Sequence, residues 1–258
     1  ATPLFLVAFR NYVIKTGKIF LIEEYRKLFS KILDFYEKNK NEEGFIKSEK
    51  YSTWMDTLER EGYCLEVQAF WYFGLKCLSE LLEIINDEKY KKAEEYAKTL
   101  KRNIVKKFKK DDYFVDVLGK EEITLNQIFL PLMNVIPLTK RFVVYIEKEF
   151  ETDFGLSTLP IKSKEYDPEE YHKGATWSHL LALFSYLQFK TGRVEKGLKS
   201  LEKIYNKINY FVLSSIPEVW NSYNGSILVK KPHGIEESAF FQLWGASSVI
   251  KAIDEGIL

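Results

Sequence analysis

The sequence predicts an all-α fold: an α/α toroid of helical hairpins, of (α/α)6 type and incomplete at its N-terminus. Three observations predict it. Apolar periodicity is helical almost throughout. Segments apolar on every side alternate with segments that carry one charged face, and the first kind belongs inside while the second belongs outside. The apolar segments begin near residues 4, 64, 125, 175 and 237, about 50 to 60 residues apart, without a strict sequence repeat.

Segment 4–16, LFLVAFRNYVIKT, is apolar nearly all round and stops at Gly17. Segment 20–38 is amphipathic, with Leu21, Tyr25, Leu28, Phe29, Ile32 and Tyr36 on one face. The pair repeats as apolar 64–85 and amphipathic 88–110, the latter through Tyr90, Ala93, Tyr96, Ala97, Leu100, Ile104 and Phe108. Segment 125–136 is apolar, and Pro131 should kink or shorten it. A shorter helix is expected after Pro137. Then come apolar 175–190, amphipathic 194–209 through Leu198, Leu201, Ile204, Tyr205 and Ile208, and apolar 237–254 around Phe240, Phe241, Leu243, Trp244 and Val249.

Loop lengths carry a functional expectation. Turns from an apolar to an amphipathic helix are short, whereas the connections 39–63, 111–124, 151–174 and 210–236 are long. In an up-down toroid all four emerge at one end, where the inner helices begin with their positive dipole ends. A closed ring of six hairpins needs roughly 330 to 360 residues at this period. The 258 residues supply about four hairpins and a helix, read as one domain, 1–258. An upstream segment or a second copy in a homo-oligomer would complete the ring. The first residue is Ala, not Met, which predicts a processed or truncated N-terminus.

Lys plus Arg (38) and Asp plus Glu (37) leave a net charge of +1, so the basic field that nucleic-acid binding needs is absent. No apolar run approaches the roughly 20 residues of a membrane span. Cys64 and Cys77 fall in one helical segment about 20 Å apart, beyond disulfide reach, which predicts free thiols and a reducing, cytoplasmic setting. Neither they nor the three histidines show metal-ligand spacing, so no metal and no cofactor is expected. Abundant Lys, Glu and Ile beside scarce Gln, Cys and Met point to a thermophile. Glycine-rich nucleotide loops and the nucleophile-elbow motif are missing.

The loop face collects Trp54, Asp56 and Glu66; then Asn126 and Gln127; then His172, Gly174 and Trp177; then Glu218, Trp220, His233, Glu236 and Glu237. Carboxylates, amides, an imidazole and indoles are what a glycan site needs. Each has a plainer role. Asp56 could cap a helix, Glu66 could answer a helix dipole, and the indoles could be core. Glu59 and Glu61 are expected to be only solvated. From the residues alone, a carbohydrate-active enzyme and a helical scaffold both stay open.

Several blocks in order resemble the C-terminal, amylo-α-1,6-glucosidase domain of glycogen debranching enzymes, related to glucoamylases. They are ATPLFLVAFRNYVIKTG at the start, STWMDT at 52–57, CLEVQAFWYFGL at 64–75, LNQIF at 125–129, GLSTLP at 155–160, YHKGATWSHLL at 171–181, IPEVWN at 216–221 and FQLWGASSVI at 241–250. The resemblance implies removal of α-1,6-linked glucose from branch stubs of glycogen-like glucans, with inversion. It makes Asp56 the general acid, with Trp54 as its apolar wall, and Glu218 the general base, their carboxyls roughly 6.5–9.5 Å apart. It makes Trp54, Glu66, Asn126, Gln127, His172, Trp177 and Trp220 substrate-binding residues. The loop after Asp56 is shorter than in many relatives, and Trp220 and Asn221 stand where relatives often have Phe or Ile and Asp. Glucoamylase-like or trehalase-like hydrolysis, and a non-catalytic glucan-binding module, are the alternatives.

Overall fold

The computed structural model describes residues 1–208, 215–239 and 242–256. Its elements divide into two compact units: Ala1–Glu122 with Phe129–Pro137, and Ile123–Ile128 with Leu138–Leu258.

The first unit is built on α4 (Leu65–Ile84), with α1 (Thr2–Thr16), α3 (Arg26–Asn39), α5 (Lys89–Phe108) and the short α6 (Phe129–Leu132) packed against it. A five-residue helix, α2 (Phe20–Glu24), precedes α3. Pro3 opens α1, where its missing N–H costs nothing, and left-handed Gly17 closes it at φ 68°. The expected helix at 20–38 breaks at Tyr25; Phe29, Ile32 and Tyr36 lie in the core, while Tyr25 and Leu28 are 39% and 38% exposed. α4 is apolar nearly all round and buried, while α5 buries one stripe, Ala93, Ala97, Leu100, Ile104 and Phe108. α1 departs from the sequence reading. It buries Pro3, Leu6 and Val13 but leaves Leu4, Phe5, Tyr12 and Ile14 exposed among the described residues.

Loop 40–64 is pinned by α4. The Gln68 amide donates to the Ile46 carbonyl and accepts from the Ile46 N–H, both at 2.9 Å. Tyr36 donates its hydroxyl to the Gly44 carbonyl at 2.6 Å. Ser48 and Gly62 exchange backbone bonds across the loop.

The second unit is centred on α8 (Ser178–Lys190), packed by α7 (Lys140–Phe150), α9 (Val194–Ile208) and α10 (Leu243–Asp254). Pro131 shortens the expected helix at 125–136 as predicted: a 3-10 turn, Leu125–Ile128, leads into four-residue α6. Short strands absent from the sequence reading occupy the long connections. β1 (Glu151–Thr152) pairs antiparallel with β2 (Gly155–Leu156), β3 (Thr176–Trp177) with β4 (Val219–Trp220), and β5 (Leu228–Lys231) with β6 (Gly234–Glu237). The last expected helix therefore starts at Leu243, and Phe240 and Phe241 lie outside the described residues. Both cysteines are free and buried. No described helix is long and apolar enough to cross a membrane.

A side chain on Gly74 would meet Pro3 at 2.8 Å, so α1 rests directly on α4 there. We expect Gly74→Val to lower unfolding stability by about 1–3 kcal/mol through overpacking. Urea unfolding at neutral pH measures it.

Candidate active site

In the first unit Glu66 and Asp116 flank one guanidinium, that of Arg60. Arg60, 5% exposed, spends all five of its N–H donors. Nε and one NH2 group grip both Asp116 oxygens at 2.7 and 2.8 Å. The two NH2 groups grip both Glu66 oxygens at 2.7 and 2.8 Å. The fifth bond goes to Thr53 Oγ1 at 2.8 Å. Thr53 Oγ1 also accepts from the Met55 N–H at 3.2 Å, so the cation sets the turn that carries Trp54, Met55 and Asp56. Burial alone would lower the Arg60 pKa, but the two carboxylates overcome it and hold the guanidinium charged. On Glu66, burial is the largest influence and pushes its pKa up, against the pull of Arg60. Burial also pushes the Cys64 thiol up to about 12, which leaves it un-ionised.

Glu66 is thus fully buried and held by Arg60 through both oxygens. Within this turn Met55 enters the core, Trp54 is half-buried and Asp56 is exposed. Trp54 lines a cleft of about 290 Å³ with Ser52, Thr53, Glu66, Phe70 and Trp71. Glu59 and Glu61 are exposed, paired with Lys50 and Lys47 at 2.8 and 2.7 Å. Sequence reasoning missed Arg60 and Asp116. The available signal was an arginine six residues before a glutamate embedded in an apolar helix entrance.

In the second unit the β3–β4 pair fixes the other group. Trp177 lies opposite Val219, and Thr176 opposite Trp220. Glu218, just before β4, has its N–H bonded to the Ala239 carbonyl at 2.9 Å. Its own carbonyl accepts from the Ser178 N–H at 3.0 Å, at the start of α8. Glu218 is 5% exposed, and its carboxylate accepts from the Tyr171 hydroxyl through Oε2 at 2.6 Å. Buried carboxylates elsewhere among the described residues are ion-paired: Glu66 and Asp116 with Arg60, and Asp87 with Arg26. Glu218 forms no ion pair among the described residues.

Around it, His172 stacks on Trp177 (4.9 Å, 3°) and His179 on Trp244 (4.4 Å, 12°), while the two indoles meet edge to face at 5.6 Å. Trp177 donates its indole N–H to the Tyr171 carbonyl at 2.8 Å. Buried Asn126 and Gln127 sit on the 3-10 turn, which reaches this group through Thr158. The Thr158 carbonyl accepts from the Leu125 N–H at 2.9 Å, and its hydroxyl donates to the His172 carbonyl at 2.8 Å. Trp220 is fully buried and gives its indole N–H to the Phe154 carbonyl at 2.8 Å. Gly174 packs against the Asp167 carbonyl, where a Cβ would come within 2.3 Å. His233, Glu236 and Glu237 lie exposed on the β5–β6 hairpin.

Arg60→Met leaves two buried carboxylates unpaired, and we expect a loss of about 3–5 kcal/mol in urea unfolding at pH 7. Burial pushes the His179 pKa from 6.5 down to about 3. Below the unfolded value the unfolded chain takes up a proton that folded His179 refuses, so stability falls as pH drops. Between pH 6.5 and 5 the wild type should lose about 1.6 kcal/mol more than His179→Phe, read from urea midpoints across that range.

A family model described as amylo-alpha-1,6-glucosidase matches residues 1–251. No curated protein matches the chain. Among solved structures the chain is similar to a glycosidase variant, at 14% identity over 98% of this chain and 65% of that one, with a TM-score of 0.73. It is similar to a glycosidase in complex with glucose, at 14% identity over 79% of this chain and 54% of that one, with a TM-score of 0.60. A mannosylglycerate hydrolase from Thermus thermophilus, also in complex with glucose, shares 9% identity over 99% of this chain and 75% of that one, with a TM-score of 0.73. At these identities the likeness is one of fold, and the fold class is the helical toroid of such glycosidases. The chain spans 54 to 75% of the length of these structures. With the family model matched over nearly every residue, the chain belongs to the amylo-α-1,6-glucosidase family.

Proposed function

We propose that the protein is a glycoside hydrolase that removes α-1,6-linked glucose from branch stubs of a glycogen-like glucan, with inversion. The observation that carries this reading is Glu218: among the described residues it is a buried carboxylate with no ion pair, in a chain of this family. Burying an uncompensated carboxylate is costly, and such groups concentrate at functional sites. Glu218 acts as general base and takes a proton from water. Asp56 acts as general acid and protonates the glycosidic oxygen. The water oxygen bonds to the anomeric carbon from the face opposite the leaving alcohol, the glycosidic bond breaks, and β-glucose is released.

The aromatic and amide groups supply sugar contacts in this reading: Trp54, Asn126, Gln127, His172 and Trp177. Glu66 and Trp220 serve as supports, since their polar atoms are already bonded within the protein. Solved relatives in complex with glucose make a sugar ligand the natural class to test. The whole of 1–258 works as one catalytic domain in this proposal.

Glucose release from limit dextrin, maltooligosaccharides and trehalose, with the anomer followed by NMR, tests the proposal. We expect β-glucose from limit dextrin, and a fall of about 10²–10⁴-fold in kcat for Asp56→Asn and for Glu218→Gln. Release of α-glucose would overturn the inverting mechanism. Turnover of trehalose or linear maltooligosaccharides alone would move the substrate to the trehalase or glucoamylase alternative.

A further inference from the structure

Glu218 has an unusual neighbour for a buried acid. Its Oε2 is taken by a phenol and not by a cation, and no hydrogen bond to Oε1 is present among the described residues. An arginine grips both oxygens of Glu66, and the same grip here would make the carboxylate a weaker base toward a water proton. A phenol O–H gives one bond to one oxygen and leaves the other as acceptor.

Tyr171 is itself fixed on every side. Its N–H donates to the Lys230 carbonyl at 3.0 Å, and its carbonyl accepts from the Trp177 indole at 2.8 Å. Its ring meets His172 and Trp177, both at 4.6 Å between centroids. Lys231 Nζ stands 5.1 Å from the ring centre, while neighbouring Lys230 is paired with Asp167 and Glu169. Glu218 is held equally firmly through its backbone to Ala239 and Ser178. The 2.6 Å bond therefore joins two anchored groups and sets the rotation of the carboxylate.

We propose that Tyr171 is the positioning residue of the general base: its hydroxyl fixes Oε2 of Glu218 so that Oε1 is presented to the attacking water. The proposal rests on the reading of Glu218 as base. It gives a role to a tyrosine that the sequence marks only as part of the YHKGATW block.

The test compares Tyr171→Phe, Glu218→Gln and the double variant in the full-length protein, with limit dextrin as substrate. Phe keeps the ring that packs on His172 and Trp177, and a wild-type far-UV and near-UV circular dichroism spectrum with a single cooperative urea transition verifies the fold. We expect Tyr171→Phe to lower kcat about ten- to hundredfold, the worth of a hydrogen bond to a charged group, with KM within about twofold. In the Glu218→Gln background the same substitution should change the residual rate less than about twofold, because the two act as one unit. Wild-type kcat in Tyr171→Phe would overturn the proposal. So would an equal loss in both backgrounds, which would mean that Tyr171 touches the sugar directly. Wild-type turnover in Glu218→Gln would instead overturn the base assignment, and it is read from a separate variant.

Discussion

The first unit depends on a single buried cation. Arg60 enters a space already occupied by two carboxylates, Glu66 and Asp116, and binds both through parallel pairs of hydrogen bonds. Without the cation, burying either acid would cost several kcal/mol. With it, three distant stretches of chain are tied at one point: the turn at Thr53, the first turn of α4 and the strand-like segment at Asp116. The backbone bond from the Leu65 N–H to the Asp116 carbonyl runs alongside at 2.8 Å. A loop of about two dozen residues would otherwise be floppy. Here the loop that carries Trp54 and Asp56 is tied to Arg60 and to α4.

The second unit solves a different problem. Glu218 is buried without a counterion among the described residues, and one phenol hydroxyl bonds its carboxylate. The short β3–β4 pair and the start of α8 fix its backbone, and a phenol fixes one oxygen. The His172–Trp177 and Trp244–His179 stacks form the apolar wall behind Tyr171. So the two units treat acids in opposite ways. One neutralises its carboxylates and uses them as structure. The other holds a buried carboxylate by a phenol instead of a cation.

Helix periodicity made most of the fold legible in advance, because a 3.6-residue pattern is a local property of the chain. α4, α5, α8 and α9 fall within a few residues of their apolar patterns, and Pro131 and Gly17 punctuate the chain where their backbone chemistry requires. Legibility fails where packing outranks pattern. α1 is apolar on all sides yet keeps one face open, and nothing local tells which face a neighbour will cover. The two-residue strands escape notice because a ladder of two bonds leaves no alternation to detect.

The sequence by itself determined the helical class, the long connections and the identity of the chemical groups on them, down to the blocks around Asp56, His172 and Glu218. Those are matters of local periodicity and residue type. Tertiary structure alone decided which groups are already bonded and which remain available. Glu66 and Glu218 look alike in sequence, each an acid amid apolar residues. Arg60 closes both oxygens of the first, while Tyr171 leaves one oxygen of the second open, because these contacts join residues 6 and 47 positions apart along the chain.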